Sequence, residues 1–388
     1  MRANPGGHIA PKDVVGRDDF IVELWRVLDV KSLILSAERR IGKTCVIQKM
    51  HEENGGRLTF YQDLEKAKSV REFVEQVWSK VDSSLGKATR GRLHAGRVLE
   101  KLGGSKVGNV ISLPEDLQIH NWKGILGELF NDLASGATSP VIFFWDELPL
   151  MLKEIRNREG DQVAIDLLDT LRAIRQEIPA IRMVYTGSVG LHHVFSDLKN
   201  SGHTNPATND MEPLTVPPLA FEDAIDLVRQ LFEGESITVV EADVLSAART
   251  IAESVDRIPF YIHQIASKFS GKRITAGAIE DTIQRAFVEA NDPWQLRHYD
   301  QRIDWYYSKP HVPVVRAILD VVASEDETIP FSKLSNLTKS KIEIHKEDDL
   351  RNIIELLGRD FYIVKETNGE YRFTFDLIKR WWRIHRCL

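Results

Sequence analysis

Lys43, Thr44, Asp146 and Glu147 are the side chains in this sequence whose types and settings could work on a phosphate group. Gly42, Lys43 and Thr44 close the stretch AERRIGKT, which fits the phosphate-binding pattern G-x-x-x-x-G-K-[ST] from position 37 onward, with Ala37 in place of the first glycine. In such a loop successive backbone N–H groups, here those of Ala37, Arg39, Arg40, Ile41, Gly42 and Cys45, join a helix N-terminus around phosphate oxygens. Lys43 would neutralise the β/γ charge, and Thr44 would offer a hydroxyl to Mg2+. Taken alone, a G-K-T tripeptide is equally an ordinary strand-turn-helix with one lysine. Asp146 and Glu147 end a run of apolar residues, 141–145 (VIFFW), that reads as a strand buried on both faces. Two acids at the end of such a strand, downstream of a phosphate loop, suit a division of labour. Asp146 would hold Mg2+ through water, and Glu147 would polarise the water that attacks a γ-phosphate.

The elements that must position these groups alternate between strands and helices. A short apolar strand at 33–35 feeds the loop and its helix, RLTFYQDL supplies a second strand, and an amphipathic helix follows over 69–81, a βαβ pattern. A helix over 121–133 leads to the acid-bearing strand. The next helix, DQVAIDLLDTLRAIRQEIP, sets Val163, Leu167, Leu168, Leu171 and Ile174 on one face. The strand IRMVYTGS then ends in Thr186, Gly187 and Ser188. If it neighbours the acid strand, the hydroxyls of Thr186 and Ser188 lie beside the acids and can orient water or sense the γ-phosphate; a capping turn before LHHVF explains them equally well. An extra strand between phosphate loop and acids points to ATPases that carry their own catalytic glutamate. Upstream, DVVGRDDFIVELWRVLD is a helix whose entry, Gly16-Arg17-Asp18, is either a polar turn or a hinge that borders an adenine. His192 and His193 have no third ligand nearby in sequence and read as surface or packing residues.

Composition narrows the class. A chain of 388 residues with 43% hydrophobic and 28% charged side chains is long enough for two or three globular domains. A net charge of -6 argues against coating nucleic acid with the whole surface and leaves room only for a local basic patch. The segment 85–110 supplies one candidate, with Lys87, Arg90, Arg92, Arg97, Lys101 and Lys106 against the single acid Glu100; it is either a solvated excursion or a contact for phosphates or an acidic partner. Cys45 and Cys387 lack metal-ligand spacing and suit a reducing cytosol. Neither a signal-peptide core nor a stretch of roughly 18 apolar residues is present, so a cytoplasmic protein without a membrane span is expected.

The expected divisions are an N-terminal tail at 1–13, an ATPase core at 14–218 with the basic insertion, a helical lid at 219–300 and a winged-helix domain at 301–388. A linker rich in Asn, Gly, Thr and Pro, with a further strand around 211–216, closes the core, and only helical patterns follow over 220–288, with Pro259 at a helix start. Three later helices and strands joined at Asn368-Gly369 make the winged helix. Its would-be groove helix begins with Glu347, Asp348 and Asp349, which a phosphate backbone repels, although Lys339, Lys341 and Lys346 lie just before it. Trp381 and Trp382 read as a packed terminal helix rather than a stacking platform.

Through VGRDDF, AERRIGKT, FFWDELP, YTGS and IPFYI, the sequence over 14–270 resembles the archaeal-type ATPase family, STAND ATPases close to the Orc/Cdc6 branch of AAA+ proteins. The resemblance implies an α/β P-loop NTPase with an ASCE/AAA+-like parallel sheet, followed by a lid and a winged helix. It implies that Val15, Gly16 and Arg17 border adenine, that Gly42, Lys43 and Thr44 hold phosphate and metal, and that Asp146 serves Mg2+. Glu147 would then be the catalytic base and Pro259 the lid contact. Three departures stand out: Ala37; Arg257-Ile258 where a glycine is expected before Pro259; and the lack of an evident arginine finger, for which Arg172 and Arg175 are candidates. The expectation is a slow ATPase switch using ATP and Mg2+. It would couple nucleotide state to a homo-oligomer or a separately encoded effector in a prokaryotic defence or mobile-element module. The alternative is a DNA-loaded ATPase that grips duplex with the basic insertion and winged helix.

Overall fold

The computed structural model describes residues 1–84, 105–107, 110–112, 119–187, 190–200, 207–240, 243–344 and 346–388. Nearly all of the basic insertion, and Ser188, lie outside the described residues. The chain forms two compact units. The first comprises 10–36 and 43–216; the second comprises 1–9, 37–42 and 217–388.

The first unit is built on a five-stranded sheet of β1 (Leu33–Ser36), β2 (Thr59–Asp63), β5 (Val141–Asp146), β6 (Ile181–Thr186) and β7 (Glu212–Thr215), in the order β2-β5-β6-β1-β7. Every pairing in it is parallel. The short strands β3 (Ser105–Val107) and β4 (Val110–Ser112) pair antiparallel apart from it. β5 is buried at every position, as its uninterrupted apolar run requires of a central parallel strand. Its aromatic residues set the core: Phe143 stacks on Phe60 at 4.9 Å and meets Phe130 edge-on, while Trp145 lies between Phe73 and Tyr185.

Helices α1 (Asp18–Leu28), α2 (Lys43–Glu52), α3 (Val70–Ser84), α4 (Ile119–Ser135), α5 (Leu148–Glu159), α6 (Asp161–Glu177) and α7 (Leu191–Asn200) complete this unit. Leu167, Leu168, Leu171 and Ile174 of α6 enter the core as their spacing predicts, with Val163 packed at its margin. Asp18 and Asp19 sit inside the first turn of α1, where their charge suits the helix dipole, rather than capping it by a side-chain bond. Arg175, a finger candidate on sequence, is buried in this unit. Its Nε and Nη2 donate to Asp210 at 2.7 and 2.9 Å, Nη1 to Tyr185 Oη at 2.6 Å, and Nη2 also to the Ala207 carbonyl at 2.7 Å. Arg172 adds to the field on the same Asp210 carboxylate. Arg175 is spent on holding α6 to the chain before β7, so it is not an exposed finger.

The second unit contains α8 (Phe221–Gly234), α9 (Val244–Ser254), α10 (Pro259–Lys268) and α11 (Ala276–Val288). The expectation of helices alone over 220–288 is corrected by a two-residue parallel pair, β8 (Thr238–Val239) with β9 (Arg273–Ile274), too short to leave a periodic trace. Then come α12 (His298–Tyr306), α13 (Val312–Ser324), α14 (Phe331–Lys341), α15 (Glu347–Arg359), the hairpin β10 (Ile363–Lys365) and β11 (Tyr371–Phe373), and α16 (Asp376–Arg386). Gly369, at φ 86°, lies in the five-residue connection 366–370 in the left-handed conformation that such hairpin turns favour. Trp381 and Trp382 are packed in the core, and the Trp382 indole donates to Asp320 at 2.9 Å. The first residues are tied down as well: Ala3 N–H donates to Glu235 at 2.7 Å and Asn4 N–H to His263 Nδ1 at 3.2 Å. Among the described residues no helix is long and apolar enough to cross a membrane.

Asp256 and Arg257, just before α10, both adopt left-handed backbone at φ 51° and 57°. This is the conformation for which glycine is the natural choice, and it gives a physical reason for expecting one before Pro259. Replacing Arg257 by glycine is therefore expected to hold or raise stability, by up to about 1 kcal/mol, whereas valine should cost about 1–2 kcal/mol in chemical denaturation. Acid should loosen this unit. Burial pushes His263 down to about 4, and burial followed by Arg39 pushes His298 down to about 3. The unfolded chain then binds more protons as pH falls below about 6.5, and stability drops through that window. Asp256, raised to about 6 mainly by burial, works in the opposite direction below pH 6. Thermal midpoints taken from pH 7 to 5 should fall, and His263→Gln should flatten the fall.

Candidate functional site

β1 ends at Ser36, and the chain turns through Ala37–Gly42 before α2 opens with Lys43 and Thr44. Gly42 takes φ 104°, a conformation that its lack of a side chain permits. Ala37 is not among the residues of positive φ, so its methyl brings no backbone strain to the position where the pattern has glycine. Arg40 does take positive φ, at 72°. It is held within the second unit by its guanidinium over the Phe260 ring, 4.4 Å from the centroid, and by a hydrogen bond to Gln295. Arg39 donates to His298, and Ile41 is buried.

In the first unit the strand order brings distant residues together. Thr44 Oγ1 donates to Asp146 Oδ2 at 2.7 Å, and the N–H of Glu147 donates to Asp146 Oδ1 at 3.1 Å. Asp146 is 4% exposed. Burial pushes its carboxyl up; the two donors pull it back, as does the charge of Lys43, while Asp63, its register partner on β2, pushes it further. Glu147 stands in left-handed backbone at φ 57° and leads into α5 with Leu148 and Pro149 in the first turn. Strain of this kind costs about 1–3 kcal/mol and persists where the surroundings fix it.

Thr186 ends β6, the strand between β1 and β5. Its hydroxyl is buried and has no hydrogen-bond partner among the described residues. Such a group costs about 1–3 kcal/mol unless something satisfies it, so a polar ligand or water is called for at this strand end. Gly187 lies against Pro149 and Glu147: a Cβ there would stand 2.7 Å from Pro149 Cδ and 3.4 Å from Glu147 Oε2. The hard oxygens of Thr44 and Asp146, with the orphan Thr186 hydroxyl, fit a hydrated divalent cation and phosphate.

Val15, Gly16 and Arg17 precede α1, with Gly16 at φ 67° and Arg17 buried. They are drawn to α2 by Lys49, which donates to the Pro11 carbonyl at 3.2 Å and pairs with Asp18 at 3.2 Å. Cys45 feels Arg17: burial pushes its thiol up and the guanidinium partly offsets this. Pro259 starts α10 in the second unit. Sequence reasoning missed Lys49, Asp63 and Tyr61. Tyr61 accepts from Gln48 at 3.2 Å, and burial, then the nearby Asp146, push its hydroxyl up to about 12. Only the placing of Asp63 at the end of a predicted strand hinted at a third acid.

No protein-family model matches the sequence, and no curated protein does. Solved structures do share the fold. A Walker-type ATPase of Pyrococcus abyssi aligns with a TM-score of 0.61 at 18% identity, over 96% of this chain and 97% of that one. The ORC2 protein of Aeropyrum pernix, in ADPNP–ADP complexes, aligns with a TM-score of 0.56 at 11% identity, over 98% and 97%. The chain has the α/β P-loop ATPase fold of these Walker-type and Orc-like proteins, with a helical C-terminal region.

The contact at Gly187 can be checked directly. Gly187→Ala must displace the rigid Pro149 ring and the neighbouring Glu147, and is expected to cost about 1–3 kcal/mol in denaturant unfolding. Pro149→Ala should recover part of that loss in the double variant.

Proposed function

We propose that this chain is an ATP-binding and slowly ATP-hydrolysing molecular switch. The observation that carries the reading is the Thr44–Asp146 hydrogen bond, with left-handed Glu147 beside it and the unsatisfied Thr186 hydroxyl on the intervening strand. Lys43 and the loop amides take the phosphates, and Thr44 and Asp146 hold Mg2+. The metal, when bound, offsets charge on the β- and γ-phosphate oxygens. Glu147 accepts a proton from the attacking water, and Thr186 and Ser188 orient that water or sense the γ-phosphate. Val15, Gly16, Arg17 and Pro259 border the adenine. The ORC2 neighbour, described in ADPNP–ADP complexes, supports an adenine nucleotide.

The nucleotide state then controls a partner through the lid and a C-terminal winged helix: a second copy of the chain, or a separately encoded effector in a prokaryotic defence or mobile-element module. This reading is preferred to a grip on duplex DNA because α15 opens with three exposed acids, Glu347, Asp348 and Asp349, where a groove helix needs neutral or basic residues.

Isothermal titration with Mg-ATP and a phosphate-release assay test it. Lys43→Ala is expected to weaken binding by roughly a hundredfold or more, about 2.7 kcal/mol. Glu147→Gln should keep binding within a few-fold while turnover falls by about 10²–10⁴. Equal loss of binding in both variants would contradict the role given to Glu147.

A further inference from the structure

The first six residues of the phosphate loop, Ala37–Gly42, belong to the same compact unit as Pro217–Leu388. What binds them there is a buried ion pair. The Glu38 side chain is 0% exposed and that of Arg302, on α12, is 7% exposed. Arg302 Nη1 donates to Glu38 Oε1 at 2.9 Å and Nη2 to Oε2 at 3.3 Å, a two-pronged contact; Glu38 Oε1 also accepts the Arg39 N–H at 2.7 Å. The other edge of the guanidinium faces the turn between α15 and β10. Nε donates to Tyr362 Oη at 2.7 Å, and Nη2 donates to the Asp360 carbonyl at 2.9 Å. Tyr307 Oη donates to the Asp360 carboxylate at 2.5 Å, and Tyr362 Oη donates to the Tyr299 carbonyl at 2.5 Å. Burial pulls the Arg302 pKa down, but Glu38 and the nearby tyrosines and Asp360 more than reverse it, so the guanidinium stays charged.

Residues 37–42 form neither helix nor strand, and Arg40 and Gly42 hold positive φ. Their conformation therefore depends on side-chain anchors, and Glu38 is the most deeply buried of the charged ones. We propose that Arg302 is a positioning residue for nucleotide binding: through Glu38 it fixes the backbone of Ala37–Gly42 for phosphate, and it couples that backbone to the turn at 360–362. The inference rests on the ATP reading above. Because such coupling is reciprocal, nucleotide that tightens the loop must also tighten the turn.

The decisive variant is Glu38→Gln with Arg302→Met. It removes both charges of the pair, so neither Glu38 nor Arg302 is left as an unpaired buried ion, the situation that costs most. With Mg-ATP titrated into full-length protein, the double variant is expected to melt near the wild type yet bind roughly tenfold more weakly. Arg302→Lys, which keeps the charge but loses the fork, should fall between. A folded double variant with wild-type affinity overturns the proposal, since a purely structural pair would show that result. A second measurement needs no variant: in wild-type protein, Mg-ATP should slow amide exchange at Phe361 and Tyr362, and unchanged exchange there with ATP bound overturns it as well. Failure of the wild-type chain to bind Mg-ATP is a different result, which sinks the ATP reading and this inference with it.

Discussion

The hydrogen bond between Thr44 and Asp146 joins residues 102 apart, and it exists only because β1 and β5 end on the same edge of one parallel sheet. In a parallel sheet every C-terminal strand end lies on one side, where ligands gather in folds of this class. Lys43 and Thr44 after β1, Thr186 at the end of β6 and the acids at the end of β5 therefore emerge together. Register matters as much as order. Side chains alternate between faces, so a slip of one residue in β5 would turn Asp146 away from Thr44. The aromatic contacts of β5 guard against that slip, and the Trp145 indole, donating to Gln62 at 3.1 Å, ties β5 to β2 at the position before the acid.

Each unit also spends one buried arginine on its irregular backbone. Arg175 holds Asp210 and the Ala207 carbonyl, which precede β7, and β7 pairs with β1. It thus supports the edge of the sheet from which α2 springs. Arg302 plays the matching part in the second unit, holding Glu38 and the Asp360 carbonyl. A buried guanidinium is costly unless most of its donors are met, which limits where one can be placed. Both sit where several chain segments without regular structure converge and carbonyl or carboxylate acceptors are at hand.

The sequence made the local chemistry legible. The G-K-T turn, the apolar run before Asp146 and the Thr186-Gly187 strand end each carry their signal within a few residues, whereas the place of β6 between β1 and β5 is conditional in the sequence and is given by the sheet order. Pairings between distant residues left no such signal. Lys49 with Asp18, Asp63 opposite Asp146 and Glu38 with Arg302 are set by tertiary packing, which no periodicity reports. Arg175 is a further case: its place near a helix end makes it a candidate finger in the sequence, and only the fold shows Asp210 against it. The β8–β9 pair was missed because two residues cannot establish an alternation.

Strain completes the account. Arg40, Glu147 and Arg257 are non-glycine residues in left-handed backbone, at the phosphate loop, the acid pair and the turn before Pro259. Each is held by bonds from its own unit: Arg40 by Phe260 and Gln295, Glu147 by the Asp146 carboxylate, and Arg257 by Ala252 and Leu219. Gln295 and Phe361, in the network around the loop, are left-handed too. A backbone that pays about 1–3 kcal/mol at such a residue stays put only while its anchors hold. To move the loop, the chain must break the buried Glu38–Arg302 pair and give up the contacts of Arg40 with Phe260 and Gln295, so the low glycine count of the loop is matched by fixed, charged side chains that hold its backbone.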